Sequence, residues 1–368
     1  MAADPQNAHS NQVAPEPVDT MVNWDLAART AARVGKSGPE VSTAEAQEIV
    51  GQLRQAAITA HPHVQAVTGL RTNPGEGVFV VDRPGWAKAN IAAFRSLLAP
   101  VMAELKQKSE ERGKPLPGAR QSAIGARVTG AEIGALLGVL SSRVLGQYDA
   151  FASPGRLLLI APTIVAVERD LEVDPTDFRL WVCLHEETHR VQFTASDWLT
   201  DHLLAEVRGL ISELMLEPGQ VADRFGQALR GLPDIIRGDG DGRSVLDAVQ
   251  TPEQRRRLAR ITAVMSLLEG HADVIMDDVG PQVVPTVAVI RQRFTRRRAG
   301  RGAIDQVLRR LLGLDAKARQ YADGAKFVRG VVDEVGMDGF NAVWTSPQTL
   351  PEPEEIQDPK AWVRRVHG

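Results

Sequence analysis

Three residues in the run FRLWVCLHEETHRVQF, at 178–193, could carry chemistry together: His185, Glu186 and His189, in the order H-E-x-x-H. On an α-helix, positions four apart share a face. Both imidazoles can then reach one divalent cation, and Glu186 stands beside them, where it could take a proton from a water. Two imidazoles with a carboxylate suit zinc well. The bland alternative is a pair of ordinary core histidines on an amphipathic helix. Histidine is scarce, 8 of 368 residues, so the pattern rarely arises by chance.

A catalytic zinc keeps three protein ligands and one open position. The residues after His189 carry no histidine-rich extension, so the third ligand must come from elsewhere. Glu269 is the first choice. It lies close to the apolar stripe Leu258, Ile261, Met265, Leu268, Ala272, Ile275 and Met276, and a carboxylate there wants a counter-charge or a metal. Asp273, one turn further, could orient His185 or His189 through its carboxylate. His271 competes as a ligand. It points roughly 200 degrees away from Glu269 around the axis, so the two should not share an ion. His202, Asp201, His61 and His63 are weaker candidates. In the expected mechanism the ion polarises a carbonyl, while Glu186 takes the water proton and passes a proton to the leaving amine. Tyr148, Tyr321, His202, His271 or an arginine could stabilise the oxyanion, and the residues give no ground for choosing among them.

The elements that must hold this set are mostly helical. Asp174, Pro175 and Asp177 form an N-cap, a first-position proline and a first-turn charge ahead of the motif. Thr251, Pro252 and Gln254 open the Glu269 helix in the same way. Asn23 precedes a short helix from Trp24 to Val34. Ser42 and Glu45 start another that Pro62 should break near His61. A long helix runs from about Pro84 to Leu105, and KQKSEERGKPLPG follows as a connection. Gly130, Gly134 and Gly138, at four-residue spacing in 129–147, predict a central, closely packed helix ended by Tyr148 and Asp149. Strands are expected at 77–81, 157–160 and 163–168. A sheet edge close to the motif helix could take an extended peptide as an added strand. The glycine-rich 234–244 reads as a loop without EF-hand spacing. The end, carrying Trp344 and Trp362, should wrap the domain.

Bulk properties bound the rest. Hydrophobic residues make up 43% of the chain, enough for a real core, and the net charge of -3 argues against a globally basic nucleic-acid binder. A basic run at 291–310 could still meet RNA or an anionic surface, but with Phe294 as its lone aromatic it reads better as a solvated face. Cys183 is the single cysteine, so no intramolecular disulfide forms; it reads as a core residue and fits a reducing compartment, hence the cytoplasm. No secretory signal or eighteen-residue apolar span is evident. The expectation is a polar tail over 1–20 and one domain over 21–368, mainly α with a small β-sheet.

Four stretches carry a resemblance: Phe178 to Phe193, LEGHAD from Leu268 to Asp273, RVLGQYD from Arg143 to Asp149, and Trp344 with PKAW ending at Trp362. Together they resemble an actinobacterial family of zinc-dependent metallopeptidases described in connection with deazaflavin-coenzyme biosynthesis. The resemblance implies a mostly helical, zincin-like fold. It implies zinc on His185, His189 and Glu269, with Glu186 as the base. The long gap between the two motifs departs from the compact thermolysin-like arrangement. No dinucleotide-binding glycine fingerprint is present. Two other functions stay open: a zinc-stabilised scaffold with a blocked cleft, and a nucleic-acid interactor using 291–310.

Overall fold

The computed structural model describes residues 17–72, 77–111, 113, 119–215, 251–299 and 314–368. Most of the expected tail, the loop at 234–244, residues 300–310 of the basic run and the side chain of Tyr321 lie outside the described residues.

The architecture is mainly α with one small sheet. In chain order come α1 (Pro17–Met21), α2 (Trp24–Val34), α3 (Thr43–Thr68), β1 (Val78–Val81), α4 (Arg83–Glu111) and α5 (Ala119–Ser141). Then follow β2 (Gly146–Asp149), β3 (Arg156–Ile160), α6 (Ala161–Leu171), α7 (Pro175–Ala195) and α8 (Leu199–Met215). Next are α9 (Pro252–Val279), α10 (Val287–Ala299) and α11 (Leu314–Phe340), and a last helix spans Pro359–His367. The strand order is β1-β3-β2, with β3 parallel to β1 and antiparallel to β2. Leu157 to Ile160 are all buried because both sheet faces are covered. Alternation sends Leu157 and Leu159 to the α3–α7 core and Leu158 and Ile160 to the layer built on α2, α4 and α5.

The motif helix α7 is the most enclosed element around the site. Asp174 caps it by accepting from the Asp177 N–H at 2.9 Å. It packs on the buried stripe Leu53, Ala57, Ala60 and Val64 of α3. Two buried charged clusters tie it to its neighbours. Arg179 meets Glu168 of α6 at 2.6 Å and also reaches Gln52 of α3. Arg190 meets Glu187 at 2.6 Å, and Glu187 lies 2.5 Å from Nδ1 of His61. Such pairs add little net stability, but losing one partner strands a buried charge, at a cost of about 3–5 kcal/mol. On its other side α7 meets α9, which opens on a complete Thr251–Gln254 capping box. A Cβ at Gly270 of α9 would lie 2.2 Å from the Gly324 backbone of α11, so those two helices touch through their glycines.

Several expectations change. Helix α3 runs through Pro62 to Thr68. Pro62 is exposed, and the carbonyl it deprives, on Ile58, lies on the solvent face where water can serve it. Residues 163–168 are helical rather than extended. Pro162 starts the helix, and Ile164, Val167, Glu168 and Leu171 bury one helical face despite their strand-leaning neighbours. Helix α4 extends to Glu111, into the first part of the expected connection. Helix α5 stops at Ser141, and Gly146–Asp149 is a strand. The α5 glycines do pack closely: a Cβ on Gly134 would lie 2.3 Å from the Ala27 carbonyl of α2. The helix is not central, however, since Ile124, Val128 and Leu136 on its other side are exposed. Its stretch Ala123–Ser141, at mean hydropathy 1.4, is long and apolar enough to cross a membrane by length and composition, although none was expected. At the N-terminus, α1 falls partly within the expected tail: Pro17–Met21 is helical, and Val18 is buried.

Candidate metal centre

His185 and His189 stand one turn apart on α7, with their Nε2 atoms 3.2 Å apart and their rings nearly perpendicular at 86°. Glu269 of α9 brings Oε2 to 3.6 Å from His185 Nε2, and the three ligand atoms lie within 4.8 Å of one another. A tetrahedral zinc with bonds of about 2.0–2.2 Å separates its ligand atoms by about 3.3–3.6 Å. The donor set therefore fits such an ion in chemistry, and His185 stands at near-tetrahedral spacing from both of the other ligands. The site is half-buried, with 27% of the His185 side chain and 22% of the Glu269 side chain exposed.

Glu186 faces the same region from a drier position, at 6% exposure. The edge strand β2 covers it. A Cβ on Gly146 would lie 2.5 Å from Glu186 Cγ, so only glycine lets the strand approach this closely. The Tyr148 backbone N–H donates to the Glu186 carboxylate. Burial, then the negative charge of Glu269, push the Glu186 carboxyl up to about 8, against the opposing pull of that N–H. A carboxyl in this range can both accept and return a proton near neutral pH.

Several of the other candidate residues lie outside the ligand cluster. His271 is fully buried between Phe340 and Trp344, with ring centroids at 5.1 and 5.4 Å, and is not in the ligand cluster. Burial holds it neutral, with its pKa lowered to about 3. His202 packs edge-on against Trp198, and His61 serves the buried Glu187–Arg190 pair. Neither joins the cluster, nor do Asp201 and His63. The Tyr148 hydroxyl sits against Gly155, whose Cβ would come within 2.3 Å of it, and burial raises its pKa. What Tyr148 offers Glu186 is its main chain. Asp273 is half-buried one turn beyond Glu269, and its carbonyl accepts from Arg291 at 3.1 Å. Cys183 is fully buried against the Leu53 carbonyl, as expected of a core residue.

Two contacts were not foreseen. Met276 brings Sδ to 3.3 Å from His185 Nδ1. Gln192 lies 2.9 Å from His189 Nδ1 through its Oε1. The available signal was its spacing: a polar residue three after His189, between Val191 and Phe193, lies on the ligand face of the helix.

Comparison with known proteins agrees with this geometry. The family model for a zincin-like metallopeptidase matches residues 22–363. The chain belongs to the zincin-like metallopeptidase family. A crystal structure from Chloroflexus aurantiacus, titled a "putative hydrolase with a novel fold", superposes with a TM-score of 0.65 at 31% identity. The match covers 94% of this chain and 98% of that one. No curated protein matches the chain. Membership of the zincin-like family supports a hydrolase and implies a metal cofactor, for which His185, His189 and Glu269 form a candidate site.

Proposed function

We propose that the protein is a metallopeptidase that cleaves peptide bonds, with His185, His189 and Glu269 holding one zinc ion and Glu186 acting as general base. The observation that carries this reading is the buried Glu186 carboxyl lying beside the His185–His189–Glu269 cluster. When bound, zinc supplies a Lewis acid for a carbonyl and an acidified water. Glu186 takes the water proton and returns it to the leaving amine. The enclosure by β2 keeps bulk solvent from competing for that proton.

An extended peptide fits along β2. In an antiparallel strand the main-chain groups of alternate residues point outward. Leu145 turns its carbonyl inward to Ile160, and Tyr148 turns its N–H outward to Glu186. Gly146 shares the Tyr148 side, and the outward groups there could pair with a substrate backbone. This mode of binding reads little side-chain sequence, so the substrate class is peptide rather than one defined residue. The deazaflavin association enters only through family resemblance; the chemistry of the site is amide hydrolysis. The single, buried cysteine suits action in the cytoplasm.

Bound metal and peptide cleavage should be measured for the wild type and Glu186→Gln. The variant should keep its zinc and lose about 10²–10⁴-fold in kcat. Retained zinc with unchanged hydrolysis removes the base role. Zinc without hydrolysis in both proteins favours a non-catalytic scaffold.

A further inference from the structure

We propose that Gln192 and His271 are positioning residues that set the tautomer of His189 and tie its ring to the Glu269 helix. The proposal rests on the metal-centre reading above, and its experiment separates the two.

The assignment follows from what each atom can do. Gln192 is fully buried. Its Nε2 lies 2.9 Å from the Leu268 carbonyl and 3.0 Å from His271 Nδ1. A carbonyl can only accept, so the Leu268 oxygen decides which end of the amide is nitrogen. The second amide hydrogen then points at His271 Nδ1, which must accept it. His271 is therefore neutral and carries its proton on Nε2. The remaining amide atom, Oε1, faces His189 Nδ1 at 2.9 Å and can only accept. His189 must hold its proton on Nδ1, which turns the lone pair of Nε2 toward His185 and Glu269. That is the tautomer a metal needs.

The arrangement has a visible cost. Among the described residues His271 Nε2 finds no hydrogen-bond partner; it is buried against Phe340 and Trp344. A phenylalanine would fill the same slot with no stranded N–H. What phenylalanine lacks is the Nδ1 acceptor that orients Gln192. The chain also crosses between elements. Gln192 and His189 belong to α7, whereas Leu268 and His271 flank Glu269 on α9. One buried amide thus sets the ring of one ligand and anchors it to the backbone that carries another.

The test uses the full-length protein with His271→Phe, His271→Asn and Gln192→Leu. Zinc affinity is read by competition with a chelator. The His189 tautomer is read in the metal-free protein by long-range ¹H–¹⁵N NMR. His271→Phe keeps an aromatic ring but no acceptor, and should weaken zinc binding about tenfold or more. It should also shift His189 away from the Nδ1–H form. His271→Asn offers a carbonyl near the Nδ1 position and should hold both readouts near wild type. A residue that served only to fill the core would give the reverse order, which overturns the proposal. Gln192→Leu should match or exceed the His271→Phe loss. Wild-type affinity and tautomer in both His271→Phe and Gln192→Leu overturn the positioning role while leaving the metal centre standing. A wild type that shows Nδ1–H on His189 but binds no zinc overturns the metal reading instead.

Discussion

Glu186 shows how far one side chain can be displaced by its neighbours. Its carboxyl rises from 4.5 to about 8, with burial as the largest cause and Glu269 the next. Between those values the metal-free folded protein binds more protons than the unfolded chain. Stability should therefore fall as pH rises through that window and level off above it. Glu186→Gln removes the ionisable group and its contribution to the slope. Melting temperatures of metal-free wild type and variant should converge near pH 5 and separate by pH 9, with the variant higher. Equal slopes in the two proteins would mean that the carboxylate is solvated in the folded state.

Among the elements, β2 has the largest influence for its size. Its four residues cover Glu186, supply the Tyr148 N–H and form one edge of the sheet. Gly146→Ala places a Cβ against Glu186 Cγ and must move the strand or the base. A displacement of about 1 Å in a catalytic group can cost on the order of 10²-fold in rate. The expected result is a fall in kcat of that order with zinc affinity retained, because the ligands sit on α7 and α9 rather than on β2. Steady-state kinetics alongside a chelator titration checks this, and an active Gly146→Ala enzyme would show that β2 yields freely.

Across the folded chain, the C-terminal wrap and the basic segment answer different questions. Trp362 is fully buried and donates to the Thr349 carbonyl at 2.8 Å. The Trp344 carbonyl accepts from Ser196 at 3.1 Å and from Trp198 at 3.0 Å, just past the end of α7. The wrap therefore braces the motif helix. Trp362→Ala should cost about 3–5 kcal/mol, read as a lower denaturant midpoint. In α10, Arg293 donates to the carbonyls of Leu171 and Glu172, and Arg297 pairs with Asp170 at 2.7 Å. Phe294 packs edge-on against Trp181. These arginines serve the C-terminal end of α6, a favourable place for cations. Double replacement of Arg293 and Arg297 by alanine should lower the melting temperature and leave no salt-dependent RNA affinity to lose. Strong wild-type RNA binding abolished by the change would restore the nucleic-acid reading.

Local chemistry made much of this protein legible before any fold was known. The H-E-x-x-H spacing, the caps at Asn23, Asp174 and Thr251, and the carboxylate of Glu269 near an apolar stripe each follow from helical periodicity and hydrogen-bonding capacity within a few residues. Their outcomes depend little on distant parts of the chain. The strand at Gly146–Asp149 and the helix over 163–168 are not legible locally because their neighbours, not their propensities, settle them: β3 pairs the first, and the α3–α7 core accepts one helical face of the second. Helix α3 passes Pro62 because its buried side keeps its packing and its exposed side has water. The Gln192–His271 link joins residues 79 apart. Its meaning lies in which atoms can donate and which must accept, and that becomes defined only when α7 and α9 are pressed together and water is gone.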